Sequence, residues 1–121
     1  MKVFKIKVAP YGRKVLCLIG GDTDKVKKVL SKAKGVKKRE WDKIDLKDCV
    51  GYTFMFDKGL TLIWLKKAPD KFYFKGILAH EIVHAIDFIM SYVGVTRDND
   101  ANESFAYLTG WLTEQIYKKL K

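Results

Sequence analysis

The stretch from about Lys71 to Val93 constrains this chain more than any other. It reads as one long helix, with Asp70 placed to cap its start and Gly94 to stop its end. Phe72, Phe74, Ile77, Leu78, Ile82, Val83, Ile86, Phe88, Ile89 and Val93 put apolar side chains nearly all round it. A helix of that kind is expected at the buried centre of its domain. The remainder of a 121-residue chain is enough for one core and one domain.

That apolar helix is interrupted by His80, Glu81 and His84, in the pattern H-E-x-x-H. Residues four apart share a helix face, so His80 and His84 can offer two imidazoles to one metal ion. Glu81 lies about 100° round the helix from His80, within reach of a metal-bound water without being a ligand itself. The chain has only two histidines, and both are here. Burying the three polar groups with no metal among them would cost several kcal/mol (~).

Around this helix the periodicity gives the order β-β-α-β-β-α-α. Lys2–Val8 alternates lysine with Phe4, Ile6 and Val8, a strand with one wet face. Residues 14–19 form a second strand, ended by Gly20-Gly21. Asp22 or Thr23 caps a short helix with Val26, Val29 and Leu30 as its stripe, stopped by Gly35. Residues 36–48 read as a charged surface loop, with Trp41, Ile44 and Leu46 as anchors and room for a turn of helix. Residues 49–56 and 60–65 have strand composition, and Asp57-Lys58-Gly59 joins them as a hairpin turn. A last helix opens at Asp100 and runs to about Leu120, with Phe105, Leu108, Leu112, Ile116 and Leu120 as its stripe. The expected fold class is α+β: a small antiparallel or mixed sheet against two long helices. Residues 1–69 form a sheet-bearing half and residues 70–121 a helical half of one domain, 1–121.

A catalytic zinc takes three protein ligands and keeps one position for water. The third candidates are Asp87, Glu103, Asp98 and Asp100. Asp87 would need the helix to bend, and no kink-forming residue lies beside it. Glu103 stands in the first turn of the next helix, which must pack back on the first. Asp100-Ala101-Asn102-Glu103 is also a capping-box spacing, in which Glu103 folds back on its own helix start.

His84 and Glu103 are separated by 18 residues, so the pattern extends to H-E-x-x-H-x18-E, with the last glutamate in Asn102-Glu103-Ser104-Phe105-Ala106-Tyr107. Residues 71–112 resemble the gluzincin clan of zinc peptidases, above all the N-E-x-F-A glutamate helix of its aminopeptidases, and thermolysin-like enzymes share nearly the same arrangement. The short chain is similar to the minimal gluzincins and to small phage zincins. The resemblance implies a zincin-like fold with one catalytic Zn2+ held by His80, His84 and Glu103. It implies Glu81 as general base in hydrolysis of a peptide bound, extended, along an edge strand beside the histidine helix. Leu60–Leu65 is expected in that edge position. The G-x-M-E-N motif of the aminopeptidases is absent, which favours an endopeptidase. Where thermolysin-like enzymes place an Asp four residues after the ligand glutamate, this chain has Tyr107. Asp87 is a substitute as carboxylate partner for a zinc-bound imidazole, with Asn102 and Tyr107 as further supporting residues. Tyr92, Tyr107 and Arg97 are candidates for steadying an oxyanion.

Three other readings stay open on the same residues: a narrow-target protease like the ImmA/IrrE-type enzymes, a DNA-associated protease in the manner of SprT-like proteins, and a latent or non-catalytic zincin-fold binding module. The net charge of +10 is concentrated in the first 75 residues, where a basic surface admits nucleic acid as a partner. Lysine supplies nearly all of that charge, and arginine is the better reader of bases, which weighs against specific recognition. Apolar content of 48 % and aromatic content of 13 % exclude a disordered chain. No apolar run reaches the roughly 18 residues of a membrane span. No secretory signal opens the chain, so a cytoplasmic protein is expected, with Cys17 and Cys49 as buried free thiols.

Overall fold

The computed structural model describes residues 1–121. Its elements are β1 (Lys2–Val8), β2 (Arg13–Ile19), α1 (Thr23–Ser31), α2 (Lys38–Trp41), β3 (Gly51–Met55), β4 (Thr61–Leu65), α3 (Phe72–Tyr92) and α4 (Asn102–Leu120). The four strands form one mixed sheet in the order β1-β2-β4-β3. β1 and β2 are antiparallel, β2 and β4 parallel, and β4 and β3 antiparallel.

The sheet is covered on both faces, which makes three layers. On one face Val15, Cys17, Ile19, Ile63 and Leu65 pack against Ile82, Ile86 and Ile89 of α3 and Leu108, Leu112 and Ile116 of α4. On the other, Leu16, Leu18, Leu62 and Trp64 meet Val26 and Leu30 of α1 with Ile44, Leu46 and Phe56. Burying a large apolar side chain is worth about 1.5–3 kcal/mol, so both clusters stabilise the sheet. β1 is covered on one face only. Its Ile6 and Val8 join the α3/α4 core while Lys5 and Lys7 face water.

The strand expected at the sheet edge is an interior one. Thr61–Leu65 pairs with β2 on one side and β3 on the other, and every residue of it is buried. From Leu62 to Leu65 the strand is apolar with no alternation, the mark of a strand buried on both faces. The edge beside α3 is instead β3, Gly51–Met55, whose residues are all half-buried.

Local chemistry accounts for the helix ends. Asp22 caps α1, its Oδ1 accepting from the Lys25 N–H at 3.0 Å. Gly94, at φ +83°, lets the chain leave α3, and the Val95 N–H returns to the Met90 carbonyl at 2.8 Å. Asp70 does not cap α3: it lies in the Pro69–Asp70 turn, and Lys71 occupies the cap position without a side-chain bond. α4 starts at Asn102, two residues later than expected, because Asp98 Oδ1 takes the Ala101 N–H at 2.9 Å and holds residues 98–101 as a turn. The capping box between Asp100 and Glu103 therefore does not form.

α3 is not the all-round buried centre expected from its composition. One side packs on β3, β4 and α4, while Phe72, Tyr73, Val83, Phe88 and Tyr92 are exposed, Phe72 at 92 %. The sheet has only two faces, and α4 covers one flank of α3 and leaves the other to solvent. Cys17 is buried and Cys49 half-buried; both are free thiols. No helix is long and apolar enough to cross a membrane.

Candidate metal and carboxylate site on α3

His80 and His84 stand one turn apart on the exposed side of α3. Their Nε2 atoms approach to 3.1 Å, with ring centroids 4.7 Å apart and planes at 78°. Each imidazole thus brings one nitrogen up to the other. Two nitrogens bound at 2.0–2.1 Å to a tetrahedral zinc stand about 3.3 Å apart, close to what the pair already offers. The same distance suits a direct N–H···N bond between one imidazole as donor and the other as acceptor. Because the histidines are exposed, the burial cost expected of them is not incurred. Of the three polar groups in the motif only Glu81 is buried, at 7 % exposure.

Glu81 turns away from the histidines toward β3. Its Oε1 accepts a hydrogen bond from the Thr53 hydroxyl at 2.6 Å. The same hydroxyl lies 3.1 Å from the Glu81 carbonyl oxygen, but it has one proton to give, and the carboxylate is the nearer and stronger acceptor. Oε2 lies over Gly51, where an added Cβ would fall 3.0 Å from it and 2.6 Å from Ile77 Cγ2. A bare backbone at Gly51 and a hydroxyl at Thr53 therefore fix the carboxylate against the edge strand. Neither residue stands out in the sequence. Both become visible only once β3, and not β4, is seen beside α3.

The other candidates are dispersed. Glu103 is exposed in the first turn of α4, where it lines a cavity of about 270 Å³ with Tyr107 and the Ala9-Pro10-Tyr11 turn. No group of three His, Cys, Asp or Glu side chains is gathered for a metal, at the histidine pair or elsewhere. Asn102 is exposed at the start of α4, and Tyr107 is 70 % exposed with no polar partner. Asp87 is engaged by Arg97, whose guanidinium also lies 4.1 Å from the Phe105 ring centroid. Tyr92 is covered by Arg13, 5.0 Å from its ring centroid. Of the residues considered for an oxyanion, Tyr107 alone has neither a polar nor a cationic partner.

The donor set thus fits a zinc in two of its members. Two imidazoles with a buried carboxylate one residue away are the right chemistry, and the carboxylate that would complete the set stands apart from them. Compared with protein-family models, with curated proteins and with solved structures, the chain matches none.

Proposed function

We propose that this chain is a zinc-dependent peptidase with a minimal zincin-like fold. The observation that carries the reading is the approach of His80 and His84 Nε2 to 3.1 Å, with Glu81, next to His80 in the chain, held against an edge strand. His80 and His84 would hold the ion, and Glu103 would complete its protein ligands. The Glu103 side chain makes no hydrogen bond or ion pair, so none holds its carboxylate away from an ion. A bound zinc lowers the pKa of water to roughly 7 and polarises a carbonyl.

The rest of the chemistry belongs to the chain. Thr53 holds Glu81 Oε1 and Gly51 seats Oε2; turned out of that seat, the carboxylate would take a proton from the attacking water and pass it to the leaving amine. β3 pairs with β4 on one side only, so its other side has free backbone groups for an extended peptide. These contacts read the main chain of a substrate and not its side chains.

A second reading, a zincin-like binding module without catalysis, is favoured by one observation: Glu81 is buried and already tied to Thr53. Digestion of an unbiased peptide mixture, read by mass spectrometry, separates the two. Zinc-loaded wild type should cleave and Glu81→Gln should not. Zinc bound by both with cleavage by neither would favour the binding module.

A further inference from the structure

Away from the histidine pair, the β1–β2 hairpin, the loop after α1 and the β3–β4 turn border an open cavity of about 170 Å³. Lys5, Arg13, Lys14, Lys34 and Lys58 line it, and no carboxylate does. The ion pairs of the molecule use other cations, so these five have no anionic partner. Lys14 also stands directly opposite Lys7 across the β1–β2 ladder, where like charges repel. A concave cluster of one sign is unfavourable in isolation and is relieved by an anion placed within it.

The backbone and one side chain are arranged for such a guest. Gly12, Gly35 and Gly59 line the cavity, each at positive φ, +66°, +87° and +93°. Arg13 is pre-positioned: its Nε donates to the Tyr11 carbonyl at 3.4 Å and its guanidinium lies 5.0 Å from the Tyr92 ring centroid. A Cβ at Gly59 would fall 2.8 Å from Arg13 Nη1, so the glycine keeps the guanidinium's place open. Leu60 is the one apolar side chain of the lining, which offers no surface for a base or a ring. Sites for drug-sized ligands run to about 300–1,000 Å³, well above this volume.

We infer that this cup binds a compact oligophosphate, a short run of linked phosphates either free or carried at the end of a larger molecule. The lysines act on it as point charges, with Arg13 adding charge at the rim. The histidine site takes no part.

The test is calorimetric titration of the full-length protein with inorganic triphosphate at about 50 mM salt, where phosphate contacts are not screened out. One triphosphate should bind per chain. Lys14→Gln and Lys58→Gln should each weaken it by about tenfold, as loss of a charge-assisted contact does. Lys66→Gln and Lys67→Gln, with the same change in net charge, should weaken it less than about twofold. Adenosine triphosphate should match inorganic triphosphate, because the phosphate chain alone is recognised. Absence of binding would overturn the inference, as would equal losses in the two pairs of variants. An unphosphorylated single-stranded oligonucleotide that bound more tightly than triphosphate, and lost as much in Lys14→Gln, would also overturn it, replacing the compact ligand with a nucleic-acid backbone.

Discussion

The Thr53 hydroxyl donates a 2.6 Å hydrogen bond to the Glu81 carboxylate, and through it the edge strand β3 holds the acid of the H-E-x-x-H helix. The bond crosses from sheet to helix between residues 28 apart in sequence. Glu81 is 7 % exposed, so the hydroxyl is the partner that makes a buried carboxylate tolerable there. Thr53→Val should cost about 1–3 kcal/mol of stability by leaving that carboxylate short of a donor. Thr53→Ser should recover most of the loss, and urea denaturation of the three proteins measures both effects. Equal stability of Thr53→Val and wild type would mean that water already solvates Glu81.

Gly51 matters for its missing side chain. A Cβ there meets Ile77 Cγ2 at 2.6 Å and Glu81 Oε2 at 3.0 Å. Gly51→Ala should destabilise the fold by about 1–3 kcal/mol through overpacking. It should also shift Glu81, so any peptidase activity should fall with it. Thermal unfolding followed by circular dichroism checks the first effect.

Burial pushes the Cys17 thiol up from its ordinary value of 9.0 to about 12. The folded state favours the neutral thiol, so this stabilisation is complete below pH 9 and is lost as pH rises from 9 toward 12. Tyr52 is raised too, first by burial and then by the charge of Cys49, and its share is lost in the same direction above pH 10. Stability measured in urea from pH 8 to 11 should therefore fall, and fall less steeply in Cys17→Ala. With a thiol reagent at pH 8, the half-buried Cys49 should react first and Cys17 only on unfolding.

Asp87 is paired with Arg97, and both side chains are about half exposed. Asp87→Ala should therefore change zinc affinity by less than about twofold, whereas loss of a carboxylate bonded to a zinc histidine costs about 10- to 100-fold. Stability should fall by no more than about 1 kcal/mol, the ordinary worth of an exposed pair. Competition with a chromophoric chelator reads the affinity.

Much of this molecule is legible from spacing alone. Alternation marks Lys2–Val8 with its wet lysines, Asp22 announces α1, and Gly94 stops α3. The exchange of β3 and β4 has a physical reason. Residues 62–65 are apolar without a break, which signals two covered faces, but which neighbour takes the edge depends on a parallel pairing with β2 that local pattern does not encode. The four residues of α2 carry no stripe to read, although Glu40 within it is buried and accepts the Asp57 N–H at 3.0 Å. The exposure of Phe72 and Tyr73 is equally illegible, since composition does not reveal which flank of a helix lacks a neighbour. At the candidate site, helical spacing places His80 and His84 on one face and Glu81 off it. The position of Glu103 depends on the path of residues 93–101, and there the side chain of Asp98, not that of Asp100, organises the turn.

Zinc titration of the apoprotein against a chromophoric chelator tests the account most directly, with His80→Ala, His84→Ala and Glu103→Gln alongside wild type. One zinc should bind per chain at neutral pH, and affinity should fall on acidification as protons compete for the imidazoles. Each histidine variant should abolish tight binding, and Glu103→Gln should weaken it by at least about tenfold, as loss of a coordinating group does. Wild type that binds zinc no better than His80→Ala would contradict the account and leave the 3.1 Å approach as a hydrogen bond between two surface histidines.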